Sequence, residues 1–265
     1  DACAPLARDA AAFAALNAAV LEHGRSAGWK YLEWRGEASL GPDAKPSLTY
    51  WQHAIDLVAD EDKQFATLKA PVRTAVRKAI GAGVQVEVST SIDAVRAFHA
   101  LNGVTRKRHG LPPQPWKFFA NLQRHVLEAE QGVVVAARFE GRPVAASVYL
   151  FHGRRAVYKY GASDAAFQHL RANDLVMWEA LRWFGRQGFT ELSLGKTALE
   201  HEGLRRFKQG WGARESELLY YKYDYKGGGF VRDRDDVTGW HNRVFRVLPI
   251  SLSRVVGNAL YRHAG

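Results

Sequence analysis

The sequence predicts a mixed α+β fold, and three observations carry the prediction. From Val84 to Tyr223 the hydrophobic period switches between two and 3.6, giving the order β-α-α-β-β-β-α-β-α-β. Glycines stand where the period changes, at Gly132, Gly141, Gly153 and Gly188. Hydrophobic residues make up 47% of the 265, with eight Trp and thirteen Phe, which is ample for a core and far from a disordered composition.

The elements follow in chain order. Residues 8–24 read as an Ala-rich helix with Phe13, Leu16, Val20 and Leu21 at helical spacing. Residues 29–35 alternate like a strand, a Gly/Pro/Asp-rich loop covers 36–47, and 49–57 form a second strand. Residues 60–82 are helical on both sides of Pro71, which a first turn accepts and an interior does not, so the helix breaks or restarts there. Lys69, Arg73 and Arg77 fall four apart on one face with Lys78 beside them. Such a stripe is a solvated face on one reading and a phosphate contact on the other.

Residues 84–88 are a strand, and 92–102 a helix opened by the Ser and Thr caps at 89–91. A second helix, 116–130, ends before Gly132. Strands 133–139, 143–151 and 155–161 are joined by tight turns at Glu140-Gly141 and His152-Gly153. Helix 173–187, strand 191–194, a basic helix closed by Gly210 and Gly212, and strand 215–223 complete the run. Lys226-Gly-Gly-Gly-Phe230 reads as a flexible joint and 232–236 as a solvated charge run. The tail, 240–263, sets Trp240, Val244, Val247, Leu248, Leu252, Val255, Val256 and Leu260 along one side, with Arg243, Arg246, Arg254 and Arg262 beside them. A helix of that kind lies on a membrane surface or packs on its own protein, and Pro249 interrupts it.

One helix and two strands are too little for a domain. The expected division is therefore a partial first domain (1–68), a basic linker helix (69–83), a complete domain (84–224) and a tail (225–265) returning to the first domain. On this reading the chain is a fragment, or lacks upstream residues that would complete an acceptor site.

The formal charge is +10 and the pI about 9.8, which favours polyanionic partners over a basic surface with no specific role. A lone Cys3 excludes a disulfide framework and a Cys-based zinc site, in keeping with a reducing cytoplasm. His109, His152, His169 and His201 are scattered, so no metal is expected. There is no Walker loop, nucleophile elbow, His-Glu-x-x-His or dinucleotide fingerprint. The stretch from Leu192 to Gly212 joins a strand end, a glycine break and a basic helix, a common place for chemistry in an open sheet. Within it Lys208 follows Phe207.

The order from Val84 to Tyr223 resembles the GNAT acyltransferase fold, in which two central strands splay apart around an acyl carrier. Those strands would be 155–161 and 191–194. GNAT members cradle the coenzyme A pyrophosphate with a Gln/Arg-x-x-Gly-x-Gly/Ala loop, and Gln168-His-Leu-Arg-Ala-Asn173 stands in that place, with Arg171 and Asn173 replacing both glycines. Finer motifs resemble the FemAB/FemX family and its BioF2-like members: residues 68–84, Thr105-Arg-Lys-Arg108, Glu140-Gly-Arg-Pro-Val-Ala-Ala146, Tyr158-Lys-Tyr-Gly-Ala162, Asn173-Asp-Leu-Val-Met-Trp178 and Leu204-Arg-Arg-Phe-Lys-Gln-Gly-Trp-Gly212. Six motifs in the right order are specific where each alone is weak.

The resemblance implies tandem GNAT-like domains and transfer of an aminoacyl or acyl group to an amine of a peptidoglycan or exopolysaccharide precursor. The donor would be aminoacyl-tRNA or acyl-CoA, with no permanently bound cofactor. The family pattern puts Phe207 and Lys208 in the transfer channel, and Tyr158, Tyr160, Arg108 and Arg106 on the acceptor. Gln168, Arg171 and Asn173 would face the carrier, and Lys69, Arg73, Arg77 and Lys78 a phosphate chain. The same residues also have bland readings, the tyrosines and Phe207 as packing and the cations as solvated charge. The implied partner is an envelope saccharide or lipid-linked precursor, and the implied location the cytoplasm, with contact at the inner membrane face. Two other readings stand: an acyl-CoA N-acyltransferase, and a non-catalytic module that binds polyanions.

Overall fold

The computed structural model describes residues 2, 3, 5–36, 40, 44–232 and 249–261. The elements begin with α1 (Ala10–Ser26), β1 (Tyr31–Gly36), β2 (Leu48–Asp56), α2 (Glu61–Thr67), α3 (Ala70–Gly81) and β3 (Gln85–Ser89). They continue with α4 (Ile92–His109), α5 (Trp116–Leu122), β4 (Gly132–Phe139), β5 (Arg142–His152) and β6 (Arg155–Ser163). The chain closes with α6 (Ala172–Arg186), β7 (Glu191–Ala198), α7 (Glu202–Gly210), β8 (Arg214–Asp224), β9 (Gly229–Val231) and α8 (Ile250–Leu260). These fall into two compact units. The first takes the described residues of Asp1–His53, Gly195–Gln209 and Arg214–Val237, and the second those of Ala54–Leu194, Gly210–Ala213 and Thr238–Gly265.

Local chemistry sets the helix ends. Asp9, Asp60 and Ser91 each accept a backbone N–H of the first turn of α1, α2 and α4. Pro71 sits in the first turn of α3, so the break expected near it falls at Leu68 and Lys69. Helix α4 runs past the expected end at Asn102, through buried Gly103, to a left-handed Gly110 at φ 71°. One interior glycine costs only about 1 kcal/mol, less than the packing of the last two turns returns. The expected helix 116–130 is α5 followed by a single π turn, Gln123–Leu127. The expected joint at Lys226 is instead a hairpin turn: Asp224 accepts from Gly228 N through its carbonyl and from Gly227 N through its carboxylate, and β9 pairs with β8.

In the second unit the strand order is β7-β6-β5-β4-β3, antiparallel except for β6 with β7. That parallel ladder lasts three pairs, Arg155 with Glu191 to Val157 with Ser193, and β6 continues for six residues past it. Alternation along β4 sends Val133, Val135 and Ala137 into one core with Tyr149, Phe184 and Trp211, and Val134 and Ala136 into another with Phe98 and Phe119. α3 packs on α6, and α4 crosses β4, β5 and β6. The expected tail is described only over α8, which packs on α4, whereas the sequence reading returned it to the first domain. Trp240, Arg243, Val244, Arg246, Val247, Leu248 and Arg262 lie outside the described residues.

In the first unit the order is β1-β8-β2-β7, with β9 beside β8. β8 alternates, Tyr221 and Tyr223 joining Trp34 on one face while Leu218 and Tyr220 join Tyr50 on the other. The Trp34 indole donates to Asn17 Oδ1 at 2.8 Å, fixing α1 on β1.

Candidate active site

Strand β7 runs past its expected end through Gly195, whose φ of 69° lies in the left-handed region a side chain resists. The carbonyls of Gly195 and Lys196 each accept from Lys208 Nζ at 2.9 Å. Lys208 is 5% exposed, and burial lowers its ammonium from the usual range to about 8. Phe207, the preceding residue of α7, is 47% exposed and points elsewhere, about 100° round the helix.

Around Lys208 the first unit holds a polar cluster. His53 of β2 is completely buried, its Nε2 3.0 Å from Glu215 Oε2 and its Nδ1 3.4 Å from Thr197 Oγ1. Arg205 clamps the same carboxylate at 2.8 and 2.7 Å, and Gln209 donates to it at 3.2 Å. Arg205 in turn holds Glu215 below the ordinary carboxylate range. Burial, then the Lys208 charge, lowers His53, so a neutral imidazole sits beside the ammonium. The Lys196 ammonium stands 3.7 Å from the Tyr50 ring centre and 5.0 Å from that of Tyr220.

The sign of the His53 shift makes a prediction. A lowered folded value means the unfolded chain takes up a proton that the folded chain refuses, so stability is lost as pH falls below about 6.5. The thermal midpoint is expected to drop between pH 7 and 5, and to drop less in His53→Gln. Melts at each pH test this; equal slopes in the two proteins would remove His53 from the account.

The other expected residues are distributed as follows. Tyr158 and Tyr160, two apart on a regular strand, would share a face; instead a β-bulge at Lys159 pairs Tyr158 with Tyr149 and Tyr160 with Val148. Tyr158 therefore packs with Tyr149 in one core and Tyr160 with Phe98 and Phe119 in the other. Thr105 Oγ1 donates to Ser163 O at 3.1 Å and accepts from Ser163 N at 2.9 Å, pinning the end of α4 to the end of β6. That brings half-buried Arg106 towards Tyr160, while Arg108 is exposed at the helix end. Arg106 is engaged by Pro112 O and the Tyr261 hydroxyl, both at 3.1 Å.

Gln168, Arg171 and Asn173 stand exposed before and within the first turn of α6. Arg171 takes φ 59°, the conformation glycine takes cheaply, and its Nε lies 3.1 Å from the carboxylate of buried Asp174. In the basic stripe, Arg73 donates to the carbonyl of Leu68 at the end of α2, and the Arg77 guanidinium lies 5.2 Å from the Phe65 ring centre. Lys69 and Lys78 are exposed. Among the described residues no group of three His, Cys, Asp or Glu is placed to hold a metal ion.

Sequence reasoning missed His53, Thr197, Arg205 and Glu215. His53 and Glu215 are 162 positions apart and share no motif. The one available signal is a histidine in mid-strand amid Tyr50, Trp51, Ala54 and Ile55.

The fold and site define an acyltransferase, and the profile of the acetyltransferase (GNAT) domain matches residues 66–226. The chain belongs to that family. Its sheet follows FemX at a TM-score of 0.65 and 15% identity, covering 82% of this chain and 77% of FemX. It also follows the C-terminal domain of a protein assigned as a lysylphosphatidylglycerol synthetase from Agrobacterium fabrum, at a TM-score of 0.60 and 14% identity over 80% and 73% of the two chains. A conserved protein of unknown function from Bacteroides thetaiotaomicron matches at 0.57 and 14%, over 78% and 75%. At such identities these likenesses establish the fold, which is FemX-like. No curated protein sequence matches the chain.

Proposed function

We propose that the chain moves an aminoacyl or acyl group onto an amine of a peptidoglycan or exopolysaccharide precursor, with Lys208 at the acyl centre. The observation that carries this is a buried ammonium fixed by two carbonyls on β7. An ammonium has three N–H groups, and those carbonyls use two. The third suits the oxygen that becomes negative when the acceptor amine attacks the acyl carbonyl. The carbon–nitrogen bond forms, the tetrahedral oxyanion collapses, the bond to the donor oxygen or sulfur breaks, and the amine proton leaves with the donor. Phe207 forms the wall beside it, and Tyr160 with Arg106 and Arg108 contacts the acceptor.

The donor read first is aminoacyl-tRNA, and acyl-CoA, which the GNAT fold implies, second. The ordering rests on the 168–173 loop. A pyrophosphate at the start of α6 would meet the Asp174 carboxylate, already paired with Arg171, where glycine-lined loops present only N–H groups. That loop is a poor pyrophosphate cradle. Lys69 and Lys78 suit a phosphate chain.

Thermal shift decides between the donors, since only a ligand that binds the folded chain raises its midpoint. Aminoacyl-tRNA at 100 times its dissociation constant should add about 2.7 kcal/mol, roughly 5–10 °C, with the shift shrinking steeply in salt. A shift with acetyl-CoA and none with charged tRNA would reverse the ordering.

A further inference from the structure

The formal charge of +10 is not spread over the chain. Residues 94–127 and 237–265 together hold ten of the 37 Lys and Arg and none of the 27 Asp and Glu, so everything else is balanced at 27 against 27. The described parts of both segments meet in the second unit, where α8 packs on α4 and Arg106 donates to Tyr261. Gly257 permits the approach: a Cβ there would stand 2.2 Å from Pro113 O. Buried Ser253 and Gly257, four apart, are therefore the inner face of α8. Its other side leaves Leu252, Val255 and Leu260 51%, 64% and 49% exposed, with Arg254 among them. Trp116, Lys117 and Phe118 border the same helix across a cavity of about 450 Å³ that Asn258 and Tyr261 also line.

Cations without acids suit nucleic acid or an anionic bilayer. Phosphate chains gain nothing from exposed Leu and Val, whereas the headgroup region of a bilayer takes apolar side chains, aromatic rings and snorkelling cations together. We infer that the face made by α8, the start of α5 and the end of α4 docks on an anionic membrane surface. Leu252, Val255 and Leu260 enter the acyl boundary while Arg254 and Lys117 meet lipid phosphates. No helix among the described residues is long and apolar enough to cross a membrane, so this contact is peripheral. The inference is independent of the transfer reaction.

Co-sedimentation with vesicles tests it. The chain should bind vesicles of phosphatidylglycerol and phosphatidylcholine, bind pure phosphatidylcholine about tenfold or more weakly, and release in salt. Leu252→Asp with Val255→Asp should weaken binding at least about tenfold, Arg254→Glu should weaken it too, and Val255→Phe should tighten it. Val255→Phe retains an apolar side chain and keeps the test open if the Asp variants fail to fold, which melts would show. Absence of vesicle binding, equal binding to both lipids, or indifference to these substitutions overturns the inference. Salt-sensitive binding of a structured RNA, weakened by Arg254→Glu while vesicles are ignored, would give the face to nucleic acid.

Discussion

Lys208→Met is expected to lower kcat by about a hundred- to a thousand-fold, the usual loss when one donor to a developing oxyanion is removed. A collapsed fold would give the same loss, so a second readout is needed. Lys208 titrates at about 8 in the folded chain against 10.5 for the unperturbed group. Between those values the unfolded chain holds a proton the folded chain has released, and unfolding free energy rises with pH. The rise amounts to about 3 kcal/mol across that window in the native protein and vanishes in Lys208→Met. Denaturant titrations at pH 8 and 10 measure it as a difference between the two proteins, which cancels the other lysines and tyrosines. Loss of activity together with loss of this slope places the effect at the ammonium. Full activity in Lys208→Met would remove it from the site.

Trp211→Ala is expected to cost about 3–5 kcal/mol, a large share of the 5–15 kcal/mol that holds a typical domain together. Trp211 is wholly buried in the core of the second unit with Phe184 and Tyr149. The chain around it is held on both sides. Lys69 N donates to Gly210 O at 2.9 Å, and Gly212, at φ 73°, leaves only 2.9 Å between Thr67 O and the place a Cβ would occupy. With no freedom to close the gap, the cavity left by the indole stays open. The thermal midpoint should fall by roughly 10 °C. A fall of a degree or two would mean the site collapses around the smaller side chain.

How far the sequence led can be judged residue by residue. The element order from Val84 to Tyr223 was legible because period and glycine placement are local signals, and helix starts at Ser91 and Asp60 follow from side chains that accept first-turn N–H groups. Two boundaries were not. Gly103 and Gly195 look like stops, yet packing carries α4 and β7 through them. The faces of Tyr158 and Tyr160 were misread because a bulge adds one residue, and no sequence feature at Lys159 announces it. Lys208 stood out through its motif. Its surroundings did not, because His53, Thr197 and Glu215 come from three separate strands and meet only when the sheet forms.

The most direct test is the pH dependence of kcat/KM from 6 to 10, using whichever donor raises the melting point. If Lys208 stabilises the oxyanion as a cation, the rate should fall about tenfold per unit above pH 8, because deprotonation removes the charge. Lys208→Arg, which keeps a charge at every pH in the range, should lose that fall. A rate that instead rises through pH 8 would make Lys208 the base that takes the amine proton, and would contradict the role given to it here.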